Sequence, residues 1–281
     1  MITSSTLFHF TPKLDNVLSI IKQKGFKPSY CIEKFGGGLE FFKRFLSSEF
    51  QIKNEKLIEI EDDIAFPLVS FCDLRLTLCK FHTEKYGKNA IGMNPLWGRK
   101  MKITPIIYVD DNFITKIFFD TVLMNLTLYH NTGENSTDKD LSEKFLYLID
   151  ALKDSIQSIS YIIKPYSGVH FNKKEKRFSN KSRNFYSERE WRYVPLVLFQ
   201  EEGDKFIFKL KEFLVKLKEN NLPELPLLEF EINEIEYILL EKKDYINKFF
   251  AEIDKMDTLK REDKLFLASK IICHDQLEQD F

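Results

Sequence analysis

Residues 188–192 read EREWR, with Glu188, Glu190 and Arg192 at every second position and Val194 continuing the series. A β-strand alternates its side chains between two faces, so a strand over 188–194 lines one side with both carboxylates and the guanidinium. Arg189, Trp191 and Tyr193 then line the other. Two carboxylates on one face, about 7 Å apart, form an acidic surface suited to a functional site. The competing reading is an exposed strand face of local ion pairs. Each such pair is worth only about 0–1 kcal/mol, a thin reason for the pattern.

Other residues could join this chemistry. His9 closes an apolar run, Leu7-Phe8-His9-Phe10, where loop-borne polar groups gather at pocket edges; it reads as a ligand contact or as a satisfied structural histidine. Thr11 precedes Pro12 and reads first as a helix N-cap. Ser70 ends the run Val69-Ser70 before Phe71-Cys72-Asp73 and can cap or bind. His82 and Tyr86, four apart on an expected helix, share a face as ligand contacts or as a packing pair. Trp97 and Trp191 read as core.

Between 172 and 192 stand eight basic residues, Lys173, Lys174, Lys176, Arg177, Lys181, Arg183, Arg189 and Arg192, against Glu175, Glu188 and Glu190. Such a run is ordinarily a solvated loop, but it leads directly into the acidic strand. Phe171, Phe178, Phe185 and Tyr186 are interleaved with the charges, the combination that single-stranded nucleic-acid sites use, so Lys173, Lys174, Lys176 and Arg177 are candidate nucleic-acid contacts. Core packing accounts for some of those rings equally well.

The elements that must position these residues form an α+β pattern. Strands are expected at 7–10, 66–71, 89–93, 104–109, 161–164, 188–194, 227–232 and 236–240, with a turn at Asn94–Gly98. A helix opens at Thr11-Pro12 and closes at Gly25, and Asp73 is placed to cap another reaching Lys85. Glycines 36–38 mark a loop that could lie over a pocket. A helical insertion is expected at about 110–160, broken by a polar run at 131–138, and further helices at 206–220 and 242–278. Strands separated so widely must pair across long stretches of chain, and no linker divides the sequence, so one domain over 1–281 is expected.

Composition narrows the classes. Hydrophobic residues are 43% and charged residues 30%, the balance of a chain with a real core. Forty-two basic and forty-three acidic side chains leave a net charge of −1, so attraction to nucleic acid or membrane must be local. Cys31, Cys72, Cys79 and Cys273 are scattered, without zinc or disulfide spacing, and no metal is expected. There is no secretory leader pattern and no run of about 18 apolar residues; a cytoplasmic protein away from membranes is the expectation. G-x-G-x-x-G, Walker, H-E-x-x-H and G-x-S-x-G patterns are all missing.

His9-Phe10-Thr11, the run Phe66–Asp73 and Glu188–Arg192 together resemble the three-part signature of ADP-ribosyltransferase-like folds. With Tyr86-Gly87-Lys88, Ile91-Gly92-Met93, Trp97-Gly98 and Pro105–Val109, the chain from 7 to about 240 resembles the abortive-phage-infection family AbiGi, whose members are labelled antitoxins. The resemblance implies a split β-sheet, phage defence or a toxin–antitoxin pair, and NAD as substrate. His9, Thr11, Ser70, Tyr86 and Arg192 would hold NAD. Glu190 would stabilise positive charge as the nicotinamide–ribose bond breaks, and Glu188 would choose or activate the acceptor. The acceptor would be a macromolecule, nucleic acid or protein, and the basic run could instead hold the NAD pyrophosphate or an acidic partner. Ser70-Phe71-Cys72 departs from the serine-threonine-serine of arginine-modifying toxins, and no arginine fills the first motif. Two alternatives stand beside transfer: an NADase, and a non-catalytic antitoxin that binds a cognate toxin.

Overall fold

A computed structural model describes residues 4–34, 63–78, 80–110, 161–172, 175–195 and 206–280, with scattered positions between 121 and 159 and at 198. The glycine triplet and nearly all of the helical insertion expected at 110–160 lie outside the described residues. In chain order the strands begin with β1 (Leu7–Thr11), β2 (Gly25–Phe26), β3 (Ser29–Lys34), β4 (Asp63–Cys72) and β5 (Asn89–Met93). Then come β6 (Thr104–Pro105), β7 (Ile107–Val109) and β8 (Ile163–Pro165). Two short ribbons follow: β9 (Ser167–Gly168) pairs with β12 (Arg183–Asn184), and β10 (Phe171–Asn172) with β11 (Arg177–Phe178). After β13 (Glu190–Tyr193) come β14 (Phe208–Lys209), β15 (Leu228–Glu229), β16 (Ile235–Leu240) and β17 (Ile271–Cys273).

The main sheet is mixed, in the order β17-β16-β5-β1-β4-β13-β6, with only β16 and β17 parallel among these pairs. Strand β4 serves two sets of neighbours. Its C-terminal end lies between β1 and β13, and its N-terminal half, from Leu68 back to Asp63, pairs with β3 and β14. The register assigns the faces. Phe8 and Glu190 both pair with Cys72, so Phe8, Phe10, Ser70, Glu190 and Arg192 share one face, while Leu7, His9, Val69, Phe71, Trp191 and Tyr193 share the other.

The second face carries the larger core. Helix Leu14–Gln23 buries Leu14, Val17, Leu18 and Ile21, a 3.6-residue stripe, against Val69, Phe71, Ile91 and Met93. Phe249 and Ile253 of helix Asp244–Asp254 and Leu267 of helix Arg261–Ser269 belong to the same cluster. Full burial of each such side chain stabilises by about 1.5–3 kcal/mol, which makes this layer the anchor of the sheet.

Several expected boundaries shift. Thr11 is not an N-cap: β1 still holds it, its Oγ1 accepts from Asn16 Nδ2 at 2.6 Å, and the helix starts at Leu14. Asp73 accepts from the Ser4 N–H at 2.7 Å instead of capping a helix, and the segment after it is a short 3-10 turn at Leu76–Leu78 and a helix at Lys80–Tyr86. Asn94–Gly98 is not a turn but the start of a helix, Pro95–Lys100, with Asn94 accepting from the Leu96 N–H. The strand expected at 227–232 shrinks to Leu228–Glu229, followed by a 3-10 turn. The expected C-terminal helix divides into three, and β17 between the last two adds a parallel strand to the sheet edge.

Candidate functional site

The strand of the opening motif begins two residues later than its periodicity suggests. Tyr186–Glu188 form a 3-10 turn, Arg189 takes a left-handed conformation (φ 45°), and β13 starts at Glu190. Glu188 is therefore not on the strand face. It reaches the same place from the turn, and neither it nor its partners form an exposed face: Glu188 is 3% exposed, Glu190 8% and Arg192 1%.

What brings them together is Lys164, on β8. Its Nζ donates to Glu190 Oε2 at 2.7 Å and to Glu188 Oε2 at 3.2 Å, and stands 4.0 Å from Glu33 Oε1 on β3. The ammonium also lies over the Phe185 ring, 4.5 Å from its centre. Arg192 has five N–H donors and five hydrogen bonds. Nε donates to Glu190 Oε1 (2.8 Å), Nη1 to Glu33 Oε2 and the Tyr161 carbonyl (both 2.8 Å), and Nη2 to Glu33 Oε1 and to Glu190 Oε2 (3.3 Å). Ser70 Oγ donates to Glu190 Oε1 at 2.8 Å, and the Glu190 N–H donates to Tyr108 Oη at 2.9 Å. Tyr86 Oη donates to Glu188 Oε1 at 3.0 Å, with Lys85 and Arg183 at 3.7 and 3.8 Å from that oxygen. Gly87, at φ 106°, lets the end of the Tyr86 helix press on β1; a Cβ there would meet Pro12 Cα at 2.3 Å.

The charges set one another's state. Burial is the largest single influence on Glu190 and would raise its pKa, but Arg192 and Lys164 together outweigh it and hold the carboxyl well below the usual carboxylate range. Burial likewise works against the Lys164 ammonium, yet Glu190, Glu33 and Glu188 together push its pKa up. Burial lowers His82 to about 4 against the opposing pull of Glu188, and raises Tyr108 to about 12.

Beside this cluster opens a cavity of about 760 Å³, lined from β1, β3, β4, the Tyr86 helix and the segment around Lys164. His9, Ser70, Tyr86, Glu188 and Glu190 line it; Thr11 and Arg192 are absent from its wall. Thr11, the last residue of β1, falls on the same core-side face as Leu7 and His9, and Arg192 spends every donor on Glu33, Glu190 and Tyr161, so Arg192 braces the carboxylates. His9 projects to the core side, between the rings of Phe26 and Phe71, and its Nδ1 bonds the Ser70 carbonyl at 2.9 Å. Burial lowers its pKa, partly offset by that bond. In the basic run, Lys173 and Lys174 lie outside the described residues, Lys176 is exposed, and Arg177 pairs with Glu175 at 2.9 Å. Phe185 is buried, and Phe171 and Phe178 pack edge to face across their ribbon.

The sequence reading left out Glu33 and Lys164. Glu33 lies 159 residues from its main partner Arg192, and an acid or a lysine in a half-buried strand carries no local mark of a distant counter-ion.

The site is thus a cavity walled by a buried, fully paired ionic cluster in an α+β protein. The family model described as "Putative abortive phage resistance protein AbiGi, antitoxin" matches residues 40–241, and the chain belongs to this family. It is similar to the abortive phage resistance protein AbiGi of Lactococcus lactis subsp. cremoris, 25% identical over 235 residues that cover 76% of this chain and 88% of that one. No solved structure matches the chain. Among the described residues, no helix is long and apolar enough to cross a membrane.

Proposed function

We propose that the chain is an antitoxin-type component of an abortive phage resistance system that works by binding a cognate toxin, without turnover at its carboxylates. The observation that supports this reading is the saturation of Glu190. A carboxylate offers about four acceptor positions, and Glu190 meets four donors: Ser70, Lys164 and two nitrogens of Arg192. A group already filled by fixed partners in a buried site has no position left for a ribose hydroxyl. The family's antitoxin description points the same way. Expression of the chain alone should leave bacterial growth unchanged, and its co-expression with its cognate toxin should restore growth that the toxin arrests. Growth arrest by the chain alone would overturn the proposal.

A second reading is favoured by one contact, the Ser70–Glu190 hydrogen bond at 2.8 Å in a cavity that His9 and Tyr86 also line. Here the ligand is NAD. Lys164 would release Glu190 Oε2 to a ribose hydroxyl, the bond from ribose to nicotinamide would break with its electron pair leaving on nicotinamide, and a macromolecular acceptor or water would bond the ribose carbon and lose a proton. That route requires Lys164 to leave carboxylates that hold it from three sides.

A further inference from the structure

The edge of the cavity carries a feature that neither reading uses. Tyr166 and Tyr186 stack with ring centres 5.1 Å apart and planes 15° from parallel, and Tyr108 meets Tyr186 edge to face at 5.4 Å. Two of these rings are open, Tyr166 at 43% and Tyr186 at 47%. Leaving large aromatic faces in water forgoes the burial that normally stabilises such side chains.

The chain holds this step rigidly. The Tyr166 N–H donates to the Val109 carbonyl at 2.7 Å, and the Tyr166 carbonyl accepts from the N–H groups of Phe185 and Tyr186 at 2.9 and 3.2 Å. Tyr166 lines the cavity and is the terminal ring of the three. Arg183 lines it too, on the ribbon that starts beside Tyr166, with its guanidinium 3.8 Å from Glu188 and partly open. His170, on the same wall, has a buried Nδ1 without a hydrogen-bond partner among the described residues.

We infer that Tyr166, backed by Tyr186 and flanked by Arg183, is a stacking subsite for a nucleobase–phosphate unit at the cavity edge. A base has a π-face that extends the tyrosine stack whatever its identity, and its phosphate finds a planar cation. His170 supplies a further polar atom that such a ligand can satisfy. Arg183 lines the cavity whereas Lys176 and Arg177 do not, which centres nucleic-acid contact among the described residues on Arg183 and the tyrosine step.

Two sources carry this chemistry, a single strand of nucleic acid and a free nucleotide. Fluorescence anisotropy of the full chain with a labelled eight-nucleotide thymidine strand at low salt, with thymidine monophosphate as competitor, separates them. Tyr166→Ala should weaken binding about 10-fold by loss of one stacked base, and Tyr166→Phe should retain it. Arg183→Ala should weaken binding and flatten its salt dependence by about one charge. Displacement of the strand by equimolar monophosphate identifies a free nucleotide as the source; retention of the strand identifies nucleic acid. Failure of both to bind at low salt, or Tyr166→Ala binding as tightly as wild type with unchanged circular dichroism, overturns the inference. Neither result bears on growth rescue by the intact chain.

Discussion

Two neighbouring stretches of this chain are both rich in charge and are used in opposite ways. In the segment 175–183, which carries the ribbon strand β11, Arg177 keeps 67% of its side chain in water while it pairs with Glu175, and Lys181 is exposed. A few residues on, Glu188, Glu190 and Arg192 are buried and tied to Lys164 and Glu33. The ribbon ion pair costs little to make and contributes little, because water competes for both partners. The cluster has given up hydration, and its members are tolerable only together. Charge density in sequence therefore says nothing of energetic weight until burial and partners are known.

Removing a cation from each region should expose the difference. Arg192→Met leaves Glu190 buried with two of its four donors gone and half-buried Glu33 without either guanidinium bond, and it should lower stability by about 3–5 kcal/mol, read from the urea midpoint at neutral pH. A loss under about 1 kcal/mol would place the cluster in the same class as the ribbon. Lys164→Met should cost less, about 1.5–3 kcal/mol, the range for hydrogen bonds to charged groups, because Glu190 keeps Arg192, and Glu188 keeps Tyr86.

The pH dependence sharpens the same contrast. His82 is lowered from 6.5 to about 4, and Glu190 is held below its ordinary 4.5. Both are depressed in the folded state, so the unfolded chain takes up protons first, and stability present above the unfolded value is lost as pH falls. The melting temperature should decline first between pH 6.5 and about 4, through His82, and further below pH 4.5, through Glu190. His82→Gln should remove the upper phase and leave the lower one. Arg177→Ala, the smallest change, should shift stability by less than about 0.5 kcal/mol at any of these pH values.

The strands that read as short apolar runs were legible in sequence: β1, β5 and β16 fall close to where those runs put them. So was the convergence of Ser70, Tyr86, Glu188 and Glu190 on one cavity, although those residues lie up to 120 positions apart. Three kinds of feature were not. The left-handed turn at Arg189 resets strand parity, and a non-glycine residue there gives no warning. Thr11 has the chemistry of a cap, but the pairing of β1 with β5 holds it in strand at Asn89. The break between helices after Asp254 has no glycine or proline to mark it, and β17 is selected by a parallel edge on β16 that only the folded sheet provides.

The central claim is that Glu190 is a saturated, structural anion, and the direct measurement is release of nicotinamide from NAD by the purified full chain. No release above the rate without protein is expected, both in wild type and in Glu190→Gln, at any pH where the protein is folded. Nicotinamide release by wild type that Glu190→Gln abolishes, with melting preserved, would contradict the account and establish that Lys164 yields Glu190 to the substrate.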